Sequence, residues 1–111
     1  MEVNEYQRLA MATLNPALSN KDVLINSVMG LCGESGEAID IVKKWLHQGH
    51  ELDKAHLAKE LGDIAWYLAE AATALDLPLE QIFQDNLDKL KRRFPQGFDT
   101  ARSLDRRRDD L

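Results

Sequence analysis

The feature that most constrains this chain is a long segment without proline, between Asn15-Pro16 and Gln48-Gly49. Asn20 is a good N-cap, so we predict a helix from Asn20 to about His47, where Gln48-Gly49 ends it. Apolar residues cover most of the circumference of this predicted helix, and a helix of that kind is usually buried on several sides. A chain of 111 residues has too small a core to bury it alone. We therefore predict a homo-oligomer. The apolar face and its extensions are Leu24, Val28, Leu31, Cys32, Ile39, Ile41, Val42, Trp45 and Leu46.

Three further helices are predicted from their end signals. The first runs from about Glu2 to Leu14, the third from after Asp53 to about Leu75, and the fourth from Pro78 to about Arg93. In the third, apolar residues recur at spacings of three and four, as in a bundle helix: Ala58, Leu61, Ala65, Leu68, Ala72 and Leu75. No segment alternates like a half-buried strand. We predict an all-α, four-helix-bundle-type fold, with one domain over residues 1–111, a core at about 20–95 and a polar tail at 96–111.

Composition and charge exclude several classes of protein. The formal net charge is −5, which disfavours non-specific binding of nucleic acid, and the basic residues Arg106–Arg108 are read as part of a solvated tail. No stretch approaches the ~20 apolar residues of a membrane helix. The N-terminal residues lack the pattern of a signal peptide, and a single cysteine, Cys32, suits a reducing compartment. We expect a cytoplasmic protein with no membrane or nucleic-acid partner.

Two pairs of acidic residues are the candidate functional site. Glu34 and Glu37 are three residues apart, as are Glu60 and Asp63, so each pair presents two carboxylates to one side of a helix. A short connection implies that the two helices pack antiparallel, which lets the pairs face each other. Surface acids that form ordinary i,i+4 pairs are the alternative interpretation.

Four converging carboxylates would repel one another, and protons or cations must relieve the repulsion. Ligands that are all oxygen favour a hard ion, Mg²⁺ or Mn²⁺, and Mg²⁺ usually shares its coordination positions with phosphate oxygens. A phosphorylated substrate is therefore indicated. Small residues near the acids permit close approach of a backbone or a ligand, or simply tight helix packing: Gly30, Gly33, Gly36 and Gly62.

A phosphorylated substrate also needs positive and polar partners. Lys44 follows Glu37 by seven residues and shares its face, and Asn86 falls within the apolar stripe of the fourth helix, where a buried amide would need a partner. Lys89 and Arg93 flank the same stripe, and a solvated basic face is the alternative for both. A zinc site at His47 and His50 is disfavoured, because no cysteine lies nearby. Trp66 and Tyr67 are interpreted as core or interface residues rather than as a base-stacking pair.

With these residues assembled, the chain resembles the MazG-type nucleoside triphosphate pyrophosphohydrolases of the all-α superfamily. The family pattern Glu-x-x-Glu, then Glu-x-x-Asp, reads here as GESGEAIDIVKKW and KELGDIAWYLA, and the resemblance continues through LPLEQIFQDNLDKLKRRFPQGF, over roughly residues 24 to 106. It implies dimers or tetramers of intertwined bundles. The acids that it implies as Mg²⁺ ligands are Glu34, Glu37, Glu60 and Asp63.

The resemblance also implies contacts with the substrate. Phosphate or sugar would contact Lys44, Asn86, Lys89 and Arg93, whereas the base would contact Tyr6, Gln7 and Trp45. Many relatives carry a further Glu where this chain has Gly33, so any role of that Glu in activating water is unassigned. The implied reaction converts a nucleoside triphosphate and water into a monophosphate and pyrophosphate, with nucleotide-pool house-cleaning as the role. The alternatives are a pyrophosphohydrolase for phosphoribosyl-ATP or dUTP, and a non-catalytic helical interaction module.

Overall fold

The computed structural model describes residues 1–104, in which the regular secondary structure is helical, with one isolated bridge between Pro95 and Gly97. The all-α prediction is confirmed. Within residues 1–104, no helix combines the length and apolar character needed to cross a membrane. The five helices are α1 (Val3–Met11), α2 (Asn20–His47), α3 (Lys54–Ala74), α4 (Leu79–Arg93) and α5 (Thr100–Leu104).

Several helix ends differ from the predicted ones for local reasons. The N-cap of α2 is Ser19 rather than Asn20, because the Ser19 hydroxyl accepts a hydrogen bond from the Asp22 N–H at 3.2 Å. Helix α1 ends at Met11 rather than Leu14, and the Thr13 hydroxyl donates to the Ala10 carbonyl at 2.6 Å. The predicted polar tail contains the short helix α5.

Helix α5 begins after Asp99, whose carboxylate accepts a hydrogen bond from the Ala101 N–H at 2.9 Å. The last part of the tail, with Arg106–Arg108, lies outside the described residues.

The chain divides into two compact units, residues 1–79 and a second that begins at Glu80. In the first, α3 packs against both α1 and α2. In the second, α4 is followed by a turn in which the rings of Phe94 and Phe98 lie 5.5 Å apart. The single domain over residues 1–111 stays a prediction.

The buried side of α3 is small and partly polar, unlike the stripe read from its sequence. Leu61, Leu68 and Leu75 are exposed within the chain, whereas Ala69, Ala72 and the two glutamates Glu60 and Glu70 are buried. Helix α2 likewise buries only three residues and exposes most of its large apolar ones. Among residues 1–104, the buried ones are Ala10, Val23, Ser27, Ile41, Glu60, Ala69, Glu70, Ala72, Ala74 and Leu79.

A polar contact joins the first half of α2 to the second half of α3. The side-chain amide of Asn26 donates to both carboxylate oxygens of Glu70, at 3.0 and 2.9 Å, and Glu70 is fully buried. Near the same end, the Asn20 amide donates to the Ala74 carbonyl at 3.0 Å and so satisfies a terminal carbonyl of α3. Because these contacts pair the start of α2 with the end of α3, the helices run antiparallel, as predicted.

Gln7 of α1 holds the connection between α3 and α4. Its amide nitrogen donates to the Thr73 hydroxyl and to the Leu77 carbonyl, both at 3.1 Å, and its amide oxygen accepts from the Leu79 N–H at 2.7 Å. The connection turns at Asp76, which adopts a left-handed backbone conformation with φ of 56°. Helix α1 is therefore joined to the end of α3 by these hydrogen bonds.

We predict that Asn26→Ala lowers the free energy of unfolding by about 1–3 kcal/mol, because it removes the donor from the buried Glu70 carboxylate. Urea denaturation at a fixed protein concentration measures the loss. As a control, the same change in a Glu70→Met background should cost much less, since no carboxylate is then left without a partner. Equal losses in both backgrounds would contradict this interpretation.

Candidate carboxylate centre

Three glutamates from two helices converge where α2 crosses the first half of α3. Glu34 and Glu37 lie on consecutive turns of α2, and Glu60 lies on α3. One carboxylate oxygen from each of them lies within 4.8 Å of the others. Glu60 is buried, Glu34 is half-buried and Glu37 is exposed. The predicted convergence of the two acidic pairs is therefore present for these three residues, and we call them the glutamate cluster.

The electrostatics of the cluster favour a cation. The pKa of Glu34 is raised above its ordinary value. The largest cause is the nearby Glu60 carboxyl, with which Glu34 can share a proton. Burial and the charges of Glu60 and Asp63 raise the pKa of Glu34 further. In the part of the chain described, Glu34 Oε2 and Glu60 Oε2 are both buried without a hydrogen-bond partner. Buried carboxylate oxygens normally have a partner. A divalent ion held by oxygen ligands would supply one for both, so the residues fit a metal.

Asp63, the fourth predicted acid, lies beside the cluster. It is exposed, and with Glu34 it lines a cavity of about 400 Å³. Trp66 and Tyr67 form the remaining wall of this cavity. Its volume falls in the range of small-molecule sites.

The aromatic wall is positioned by both neighbouring helices. A methyl group placed on Gly30 of α2 would overlap the Tyr67 ring, so the ring packs directly on the backbone of α2. The indole N–H of Trp66 donates to the Thr13 hydroxyl at 2.9 Å and to the Ala10 carbonyl at 3.2 Å. The Trp66 and Tyr67 rings meet edge to face, with centroids 5.2 Å apart. The close approach predicted at the glycines is thus present at Gly30.

At the other three helical glycines within the described chain, close approach of a ligand or of a second copy stays a prediction. A methyl group on Gly33, Gly36 or Gly62 would have no neighbouring atom within 4 Å.

His56 contacts the cluster from the first turn of α3. Its Nε2 lies 3.2 Å from Oε1 of Glu60, and its backbone N–H donates to the side chain of the N-cap Asp53 at 3.0 Å. The imidazole is about half exposed, whereas the Glu60 side chain is 7% exposed.

The predicted basic and polar partners have mixed placements. Lys44 forms an exposed ion pair with Asp40 at 2.9 Å, and this contact lowers the pKa of Asp40. Asn86 is exposed, so the expectation that its amide is buried in the α4 stripe is wrong. Lys89 and Arg93 are half-buried on α4, in the unit that begins at Glu80. Contacts of these four residues with a substrate stay predictions.

The three predicted base contacts lie on α1 and α2. Tyr6 is half-buried, Trp45 is 45% exposed, and Gln7 makes the hydrogen bonds to the α3–α4 connection described above. The Gln7 amide therefore has a structural task of its own.

Sequence reasoning missed His56, and it interpreted Trp66 and Tyr67 as core or interface residues without placing them in the cavity wall. A usable signal was present, because Tyr67 follows Asp63 by four residues and His56 precedes Glu60 by four, and residues so spaced share a helix face. The contact of Gly30 with Tyr67 has no such signal, since it joins two helices.

The chain matches a known protein family and a phage protein. Residues 25–98 match the family model of the MazG nucleotide pyrophosphohydrolase domain. The Gene 37 protein of Mycobacterium phage L5 is 37% identical over 105 residues, which cover 87% of this chain and 92% of that protein. No solved structure matches the chain.

Fold and site together define an all-α protein whose adjacent antiparallel helices bring glutamates together beside an aromatic-lined cavity. The chain belongs to the MazG nucleotide pyrophosphohydrolase domain family. This family membership confirms the resemblance seen in the two acidic motifs.

We predict that Gly30→Ala is destabilising although alanine is the better helix former. Overlap with the Tyr67 ring should cost up to about 3 kcal/mol, which exceeds the gain of about 1 kcal/mol in helix propensity. Gly33→Ala is the matched control and should gain up to about 1 kcal/mol, because its methyl group meets open space. Urea denaturation compares the two variants, and equal effects would contradict the packing of Tyr67 on Gly30.

A second prediction concerns pH in buffer that contains a chelator. Because the folded-state pKa of Glu34 is raised, the folded protein binds a proton at Glu34 more tightly than the unfolded chain does. The stability that this proton provides is lost as the pH rises through the folded pKa. Glu34→Gln should therefore be more stable than the parent at neutral pH. The difference should shrink as the pH falls through the folded pKa towards the ordinary value.

Thermal denaturation across this pH range measures the difference, and Asp40→Asn provides a control of opposite sign. The pKa of Asp40 is lowered, so its ionised form contributes stability above its ordinary pKa that is lost as the pH falls. Asp40→Asn should therefore be less stable than the parent at neutral pH. A Glu34→Gln variant that behaved like Asp40→Asn would show that the carboxylates do not repel one another.

Proposed function

We propose that this protein is a Mg²⁺-dependent nucleoside triphosphate pyrophosphohydrolase that converts a nucleoside triphosphate and water into a nucleoside monophosphate and pyrophosphate. The observation that carries the proposal is the glutamate cluster, with its two buried carboxylate oxygens that have no partner among the described residues. Family membership supports the same reaction class. The proposed role is house-cleaning of the nucleotide pool in the cytoplasm.

The metal ligands in this proposal are the three glutamates and Asp63. An all-oxygen set favours Mg²⁺, with Mn²⁺ as a substitute, over softer ions. When bound, the ion would polarise the phosphoryl group and neutralise charge on the phosphate oxygens. The cavity beside Glu34 and Asp63 would then receive the substrate next to the ion.

Within this site, Glu37 is proposed to orient and deprotonate the attacking water. It is the exposed member of the cluster, so water can reach it, whereas Glu60 is buried and Glu34 is half-buried. The water attacks the α-phosphorus, the bond to the bridging oxygen of the β-phosphate breaks, and pyrophosphate leaves. Glu37 holds the proton taken from the water until solvent removes it.

The side chains proposed to recognise the substrate come from several helices. Trp66 and Tyr67 provide flat faces in the cavity wall that suit a nucleobase. Phosphate or sugar is proposed to contact Lys44, Asn86, Lys89 and Arg93, and the base to contact Tyr6, Gln7 and Trp45. Lys44 can leave its ion pair with Asp40 to contact a phosphate, because both side chains of the pair are about half exposed and such surface pairs are weak.

A homo-dimer or homo-tetramer is part of the proposal. Helices α2 and α3 expose large apolar side chains within the chain, including Met29 at 68% and Ile39 at 63%. Exposed apolar side chains mark interfaces where they form one patch. A second copy of the same helices would provide the matching surface.

Glu60→Gln tests the function. We expect it to lower Mg²⁺-dependent pyrophosphate release by at least about 100-fold, because a charged ligand becomes neutral, while helical content is retained. Glu51→Gln, an exposed loop glutamate outside the cluster, is the matched control and should keep parental activity. Unchanged activity in Glu60→Gln would reject the assignment.

The substrate panel for this test contains canonical and modified triphosphates, dUTP and phosphoribosyl-ATP, and it scores pyrophosphate against orthophosphate. Mg²⁺ should raise the melting temperature of the parent and of Glu51→Gln, because an ion that binds the folded protein stabilises it. It should raise the melting temperature of Glu60→Gln much less. A parent chain that gave neither pyrophosphate nor stabilisation by Mg²⁺ would instead support a non-catalytic interaction module.

A further inference from the structure

The two oxygens of Glu60 have different surroundings. Oε1 lies 3.2 Å from Nε2 of His56, whereas Oε2 is buried and has no hydrogen-bond partner in the part of the chain described. The Glu60 side chain is only 7% exposed, so its carboxylate group has little room to turn away from the imidazole. Glu60 therefore offers one oxygen to the cluster and keeps the other on His56.

The imidazole can keep this contact in more than one protonation state. Nε2 carries a proton in the imidazolium and in one neutral tautomer, and it donates to the carboxylate in both. The position of His56 is also fixed, because Asp53 holds its backbone N–H at the start of α3. Glu60 lies one turn further along α3, where an i,i+4 pair meets directly.

The number of oxygens that a carboxylate offers matters for the choice of ion. Mg²⁺ demands near-ideal octahedral geometry with single oxygens at about 2.1 Å, whereas Ca²⁺ accepts six to eight oxygens and commonly takes both oxygens of one carboxylate. A glutamate whose second oxygen is occupied suits the first arrangement and opposes the second. The contact made by His56 thus bears on metal selectivity.

We propose that His56 is a positioning residue that restricts Glu60 to one metal-facing oxygen and thereby makes the site select Mg²⁺ over Ca²⁺. This inference rests on the metal site of the proposed function. It adds a selectivity determinant outside the four acidic residues. Side chains that orient metal ligands in this way typically change metal affinity by 10–100-fold when removed.

The test is calorimetric titration of the full-length chain with Mg²⁺ and with Ca²⁺ at fixed pH. His56→Ala should lower the ratio of Mg²⁺ affinity to Ca²⁺ affinity by about 10-fold or more, because Glu60 can then offer both oxygens. His56→Gln, whose amide can donate to the same oxygen, should recover most of the parental ratio. His50→Ala, an exposed histidine outside the cluster, is the control and should keep that ratio.

The outcomes separate this inference from the proposed function. A parent chain that binds neither ion would overturn the metal site and with it the inference. A parent that binds Mg²⁺, together with a His56→Ala variant of unchanged ratio, would overturn the role of His56 alone. A lowered ratio that His56→Gln does not recover would assign the effect to lost packing and would likewise overturn the role. Circular dichroism of each variant checks that the fold is kept.

Discussion

The antiparallel contact between α2 and α3 is the interaction on which the rest of this structure depends. It is unusual for a helix pair because its buried side carries glutamates as well as small apolar residues. Like charges placed there repel one another. Other contacts along the line where α2 and α3 meet, which we call the seam, hold the helices together. They are the Asn26–Glu70 hydrogen bonds, the ring of Tyr67 on Gly30, and the buried side chains of Val23, Ile41 and Ala72. The fold thus holds carboxylates where they would not gather by themselves, which is the condition for a cation to stabilise them.

Helix α1 connects the remaining parts of the first unit to this seam. Gln7 joins this helix to the end of α3 and to the connection that follows. Ala10 of α1 and Thr13, two residues past its end, hold the indole of Trp66. Because Trp66 meets Tyr67 edge to face, the orientation of the aromatic wall is set from α1 on one side and from Gly30 on the other. A short helix that contributes little buried surface of its own therefore shapes the cavity beside the glutamates.

Much of this arrangement could be predicted from the sequence, and the successes and failures have physical causes. The bounds of α2 follow from proline and glycine near its ends, and the acidic pairs follow from the helical repeat, which is local information. Glu70 resembles any surface acid in the sequence, and only the packing of α2 shows that it is buried beside Asn26. Asn86 was misjudged for the opposite reason, because its place in an apolar stripe does not bury it. Lys44 pairs with Asp40 one turn away, a local contact that competes with any role at the cluster.

The orientation of α3 links function to stability. This helix carries two faces with different chemistry, and the one turned towards α2 holds Glu60 and Glu70, while Leu61, Leu68 and Leu75 point away from the core of the chain. A helix that followed burial of apolar area alone would turn its leucines inwards, since each buried leucine stabilises by about 1.5–3 kcal/mol. In the observed orientation of α3 the leucines are not buried within the chain, so their stabilisation is lost there, while Glu60 and Glu70 face α2. The leucines recur every seven residues, the repeat with which one helix packs along another, so the same orientation leaves a surface suited to a second copy of the chain. On this argument the glutamate cluster and the proposed oligomer have one cause: α3 turns Glu60 and Glu70 inwards, and the apolar surface thereby exposed is available for assembly.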